Sequence, residues 1–214
     1  MTPQITVLIS GRGSNMQSVH QACTNGTLNA KITHVVSNTS DAAGLDYARQ
    51  HGIETSIVSH RDFDQRADFD NALINIIEQR ANPDLVLLAG FMRRLTSTFT
   101  SRFEDRLINI HPSLLPRHPG LDTHSRAIQC GDTWHGCSVH FVNEALDGGP
   151  IIARGIVPVL KGDTKTTLAA RVLTIEHRVL PRIAQLFLHE GLVCQDSHIK
   201  FKDKALHQPI LYYY

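Results

Sequence analysis

Leu107-Ile-Asn-Ile-His-Pro-Ser-Leu-Leu-Pro116 opens as a short apolar run and closes in a proline-flanked loop. The run has the composition of a strand buried on both faces, the kind found inside parallel sheets. It sets Asn109 and His111 two residues apart, and Pro112 stops the strand directly after the histidine. Residues two apart on a strand project from the same face. An amide and an imidazole are therefore delivered side by side at the strand's carboxyl end, the edge where open α/β sheets place their ligands. Such a donor pair suits a carbonyl that becomes tetrahedral and negatively charged. A capped core strand with one hydrogen-bonded histidine is the plainer reading of these ten residues, and the surrounding chain decides between the two.

Upstream, apolar strands alternate with helical stretches. Residues 5–9 form a strand that runs into Ser10-Gly-Arg-Gly-Ser-Asn15, with Ser14 the expected N-cap of a helix to about Thr24. Residues 31–37 and 54–58 read as strands around a helix at 41–52 that stops at a glycine. Residues 62–80 are amphipathic through Phe69, Leu73, Ile76 and Ile77, and 83–90 make a wholly apolar fourth strand, expected at the sheet centre. The opening stretch is the fifth. This alternation predicts an α/β fold built on an open, mostly parallel, doubly wound Rossmann-like sheet.

Downstream the rhythm changes. Residues 112–122 form a loop too rich in proline and glycine, and too long, for a mere connector. Strands at 136–142 and 150–160 are joined by the turn formers of 143–149, which predicts an antiparallel C-terminal portion. Residues 164–190 are the longest helix, with a break expected at Pro181. The tail from Gly191 is polar with two short strand-like pieces. No repeat or linker interrupts the chain, so a single domain, 1–214, is expected, with an N-terminal half at 1–105 and a C-terminal half at 106–214.

A net charge of +1 offers no basic stripe to a polyanion, so neither nucleic acid nor a membrane is an expected partner. Thirteen histidines invite a metal, but there is no H-E-x-x-H and no C-x-x-C among Cys23, Cys130, Cys137 and Cys194. No metal site is expected, and the four cysteines read as reduced thiols. Without a signal sequence or an apolar run of membrane length, the expected location is cytoplasmic.

Three further stretches carry chemistry. The glycines of 10–15 let backbone amides approach an anion at a helix N-terminus. Met16 stands where a dinucleotide fingerprint has its third glycine, and Asn38 where strand two would end in an acidic residue. A phosphate monoester is the most economical ligand; a tight turn that binds nothing reads equally well. Asp147, with two glycines behind it, is free to point into a cleft, where a carboxylate would orient a histidine and favour its charged form. An ordinary turn aspartate is the alternative. Leu88-Ala-Gly-Phe-Met-Arg-Arg-Leu95 leaves strand four as apolar side chains followed by backbone able to read the edge of a flat heterocycle, unless it is only a strand end with solvated arginines. His124, His135 and His140 read as structural or surface histidines.

Taken together, Ser10-Gly-Arg-Gly-Ser-Asn15, Ala89-Gly-Phe-Met92, Asn109-Ile-His-Pro-Ser-Leu-Leu-Pro116, His135-Gly-Cys-Ser-Val-His140 and Leu146-Asp-Gly-Gly-Pro-Ile151 closely resemble the motifs of the phosphoribosylglycinamide formyltransferase family, folate-dependent enzymes of purine biosynthesis. The likeness runs from the first strand to about Pro181 and fades in the tail. Related folate enzymes share the Asn, His and Asp; Gly120-Leu-Asp-Thr-His124 and the Gly-Gly-Pro after Asp147 resemble the glycinamide branch. Methionyl-tRNA formyltransferases carry an extra C-terminal domain and formyltetrahydrofolate hydrolases an extra N-terminal one, and neither is expected here.

The resemblance implies transfer of a formyl group from 10-formyltetrahydrofolate to the amine of 5'-phosphoribosylglycinamide. It implies Asn109, His111 and Asp147 as the catalytic set, Gly13, Ser14 and Asn15 as the phosphate site, and Glu176 as the holder of the glycinamide portion. Leu88, Phe91, Arg93, Arg94 and Leu95 would line the pterin site with Glu144 and the loop to Asp147, and Arg66 would meet the folate's glutamate tail. Folate would be a consumed co-substrate, not a tightly bound cofactor, and the protein a monomer or homodimer. Asp122 departs from the family, which often has histidine there, and receives no role. The competing readings are another 10-formyltetrahydrofolate enzyme, either a hydrolase or an amino-sugar formyltransferase, and a non-catalytic folate- or nucleotide-binding module.

Overall fold

The computed structural model describes residues 1–80, 82–195 and 197–214. The chain divides into two compact units, Met1–Asn109 and Ile110–Tyr214.

The first unit alternates as its sequence predicts: β1 (Gln4–Ile9), α1 (Ser14–Thr24), β2 (Lys31–Ser37), α2 (Ala43–Gln50), β3 (Glu54–Ile57), α3 (Arg66–Arg80), β4 (Leu85–Leu88), α4 (Ser97–Arg102) and the start of β5 (Leu107–His111). Its strands lie parallel in the order β5-β4-β1-β2-β3. Ile5 to Ile9 and Leu85 to Leu88 are all buried, which is why these runs are apolar without alternation. The chain winds outward from β1 to β3, then returns to the other side of β1 for β4 and β5. The direction therefore reverses between β1 and β4, and the crevice at the carboxyl ends of two such strands is where open sheets bind ligands. Two local expectations need correction. The N-cap of α1 is Gly13, in the left-handed region at φ 68, and not Ser14. Helix α4 was not anticipated, because six residues give too little periodicity to read.

The second unit contains α5 (Thr123–Gln129), β6 (Trp134–Phe141), β7 (Ile151–Pro158), α6 (Lys165–His189), β8 (Leu192–Gln195), β9 (His198–Phe201), β10 (Lys204–Ala205) and β11 (Ile210–Tyr213). Strands β6 and β7 pair antiparallel, as the turn formers between them predict, and β11 adds to β7 in parallel. Strands β8 to β10 form a small antiparallel sheet of their own. Helix α6 packs on β6 and β7 through Leu168, Val172, Ile175, Val179 and Ile183, a stripe at helical spacing whose members are fully buried. Burial of each such side chain contributes roughly 1.5–3 kcal/mol. The break expected at Pro181 does not occur: α6 runs unbroken with Pro181 inside it and buried. The flanking Leu180, Ile183 and Ala184 are buried on the same stretch, and their packing offsets the backbone hydrogen bond that proline cannot make. The α/β class, with a mostly parallel sheet and some antiparallel strands, is as the sequence predicts. Among the described residues no helix is long and apolar enough to cross a membrane.

Candidate active site

In the first unit the loop after β1 and the segment after β4 are tied together at the crevice. Ser10 N donates to Gly90 O at 3.1 Å, and Ser10 Oγ accepts from Met92 N at 2.7 Å while donating to Asn38 Oδ1. Asn38 also contacts His60 Nδ1 at 3.1 Å, so the polar side chain at the end of β2 is engaged within the protein. Gly13 and Gly44 pack backbone to backbone. A Cβ on Gly44 would stand 2.6 Å from Ile9 Cδ1 and 3.2 Å from Gly13 Cα, and Gly44 N donates to Gly11 O at 3.0 Å. Gly44, at the start of α2, therefore shapes the glycine loop, although no motif in the sequence links the two. The N-cap residue Gly13 has no side chain to offer the first turn of α1, whose amides carry the partial positive charge that suits a phosphate. Ser14 and Asn15 open that turn and are half-buried.

Leu88, which ends β4, and Leu95 beyond it are buried, Phe91 is half-buried, and Arg93 and Arg94 are exposed. Arg66 is exposed at the first position of α3. Asp70, one turn further along α3, has no exposed surface, and its Oδ2 accepts from Thr96 N at 2.6 Å and from Thr96 Oγ1 at 2.7 Å. That pins the chain just after Leu95. Asn109 is half-buried in β5, in register with Leu88.

In the second unit His111 is the last residue of β5 and 6% exposed. Its Nδ1 lies 3.5 Å from Asp147 Oδ2, and its Nε2 lies 3.1 Å from the carbonyl of His118. A carbonyl only accepts, so Nε2 carries a proton. Both ring nitrogens face acceptors, an arrangement that the imidazolium form fills. At 3.5 Å the Nδ1 contact is longer than an ordinary hydrogen bond. Asp147 sits in the left-handed region at φ 50, and its Oδ2 accepts from Gly120 N at 2.8 Å. The carboxylate is thus held by the loop after His111 as well as by its own turn. Gly149 makes the turn possible by close approach: a Cβ there would lie 1.8 Å from Phe141 O. Glu144 is exposed on the same turn.

The loop 112–122 is hydrogen-bonded along its length. Ser113 Oγ donates to Arg117 O at 2.7 Å, Leu115 N donates to Ser138 Oγ at 3.0 Å, and Ser138 Oγ donates to Ser113 O at 2.8 Å. Arg154 reaches Leu115 O at 2.7 Å and Arg126 reaches Pro119 O at 2.6 Å. Asp122, given no role in the sequence, is left-handed at the N-cap of α5 and pairs with Lys165 at 2.7 Å. Glu176 is on α6 and 6% exposed.

Three other histidines have structural partners. His124 Nδ1 and His135 Nε2 are 3.1 Å apart, and His140 Nδ1 donates to Phe141 O at 2.7 Å. Burial, reinforced by His124 and His118, pushes His135 down to about 4, and burial lowers His124 and His140 as well. All three are neutral partners near neutral pH. His118 and Asp132, joined at 2.7 Å, escaped the sequence reading because fourteen residues and a helix separate them. Among the described residues no three His, Cys, Asp or Glu side chains are grouped so as to hold a metal ion.

A family model described as formyl transferase matches residues 3–184, most of the chain. The chain belongs to the formyl transferase family. Within the family it is 49% identical over 201 residues to the phosphoribosylglycinamide formyltransferase of Escherichia coli strain K12, covering 94% of this chain and 91% of that protein. The Haemophilus influenzae protein of the same name is 40% identical, with 95% of each chain covered. A solved structure of the Coxiella burnetii phosphoribosylglycinamide formyltransferase in complex with CHES matches at a TM-score of 0.94 and 40% identity, over 99% of this chain and 100% of that one. These formyl transferases match the chain along nearly its whole length, so the likeness takes in both units.

Proposed function

We propose that the chain is a phosphoribosylglycinamide formyltransferase, moving a formyl group from 10-formyltetrahydrofolate to the amine of 5'-phosphoribosylglycinamide in de novo purine synthesis. The observation that carries the chemistry is the His111 ring, held between the His118 carbonyl and the Asp147 carboxylate. Family membership supplies the substrate class. The unprotonated amine attacks the formyl carbon; one carbon–nitrogen bond forms, and the bond to the folate nitrogen breaks as that nitrogen takes up a proton. Asn109 donates to the oxygen that turns negative. His111 donates through Nδ1, since Nε2 is committed to His118. Asp147 balances the imidazolium and steers the water that carries the proton between nitrogens. Positioning of the amine supplies much of the remaining acceleration.

In this reading Gly13, Ser14 and Asn15 take the phosphate, Glu176 takes the glycinamide portion, and folate is consumed, not retained. The pterin is held by Leu88, Phe91, Arg93, Arg94, Leu95 and Glu144, and Arg66 meets the glutamate tail. The test is a steady-state assay with both substrates that also follows free formate. Formylated product with little formate is expected. Asn109→Ala and Asp147→Asn should each lower kcat about 100- to 1,000-fold, with the ribonucleotide still bound. Near-normal turnover in both variants would overturn the mechanism, and formate as the main product would overturn the activity.

A further inference from the structure

His118 stands in the left-handed region at φ 53, immediately before Pro119. That region is unfavourable for a residue with a Cβ, and a following proline confines the backbone toward extended conformations. Such a conformation persists only where its surroundings over-determine it. Here the hold comes from the side chain. The ring of His118 is buried, and its Nε2 donates to Asp132 Oδ2 at 2.7 Å. Asp132 is itself buried, takes the Arg117 guanidinium on its other oxygen, and donates its backbone N–H to Ala127 O at 3.0 Å, at the end of α5. The opposite end of His118, its carbonyl, is the group that accepts the Nε2–H of His111.

We propose that His118 and Asp132 form a positioning pair: they lock an otherwise unfavourable turn whose carbonyl decides which nitrogen of His111 is presented to Asp147. This rests on the catalytic reading of His111 given above. Neither residue touches the reacting atoms. Without the lock the carbonyl relaxes, the ring is free to turn over, and the donor aimed at the substrate oxygen is no longer defined.

The experiment uses the full chain with 15N-labelled histidine, the His111 signals being assigned by their loss in His111→Asn. In the unaltered protein, Nε2 of His111 stays protonated throughout the pH range of activity. In Asp132→Ala, and in His118→Leu, that signature gives way to an averaged one. Leucine fills the ring's buried place, offers Asp132 no donor and is strained at positive φ, so His118→Leu decides the matter should Asp132→Ala fail to fold. In both variants kcat falls on the order of tenfold to a hundredfold, with each KM within about twofold. A folded variant with the unaltered His111 pattern and unaltered kcat overturns the pair while leaving the catalytic reading intact. Normal turnover by His111→Asn overturns that reading and leaves the ring-locking measurement to stand by itself.

Discussion

Asp147 and His118 both hold a non-glycine backbone in the left-handed region, and each presents a polar atom to His111. For Asp147 the arrangement depends on the residues behind it. Neither Gly148 nor Gly149 has positive φ; the left-handed residue is the aspartate itself. The glycines are needed for space, since a Cβ on Gly149 would lie 1.8 Å from the Phe141 carbonyl oxygen and that oxygen belongs to backbone that cannot swing aside. Gly149→Ala is therefore expected to destabilise the fold by roughly 1–3 kcal/mol or more and to cut turnover with it. A denaturant midpoint measured beside kcat checks this, and an unchanged midpoint refutes it. The sequence Asp147-Gly-Gly made a tight turn legible. It did not reveal that the strain falls on Asp147, because that follows from Phe141 lying across the turn and not from anything local.

Among elements, those with a long period were readable and those without were not. Strands β1 and β4 announce themselves by near-continuous apolar runs, and α6 by its buried stripe. Helices α4 and α5 span six and seven residues, under two turns, so no periodicity emerges. Helix α4 is set from outside: Asp70 on α3 accepts both the backbone N–H and the hydroxyl of its N-cap, Thr96. Asp70→Ala leaves both donors of the half-buried Thr96 without that acceptor, a loss of about 1–2 kcal/mol. The expected result is a lower urea midpoint with hydrogen exchange at 97–102 accelerated more than elsewhere; uniform acceleration would mean that Asp70 does not serve α4 in particular. Strand β11 shows the same limit. Its pairing with β7 is remote in sequence, and Tyr212 and Tyr213 carry no mark of a parallel partner.

Across the whole molecule several histidines are buried uncharged. Burial lowers His34, His124 and His140, and His135 is brought down to about 4. An unfolded histidine titrates near 6.5. Between about 6.5 and 4 the unfolded chain thus binds more protons than the folded one, and stability falls as pH falls through that window. The slope is at most about 1.4 kcal/mol per pH unit for each group. Thermal unfolding followed from pH 8 to 4.5 should show a flat upper region and a decline below about 6.5, shallower in His135→Gln. An equal decline in that variant would place the proton uptake elsewhere. At this scale the family was legible because its motifs are contiguous, whereas the histidine partnerships are assembled from separate segments and could not be read in advance. The loop 112–122 carries a last consequence. Its backbone is bound to Ser138, Arg154 and Arg126 within its own unit, so its conformational freedom is surrendered during folding and not at encounter. Under the proposed function, a substrate that contacts this loop meets a wall already standing, and its affinity is not diminished by the ordering of that wall.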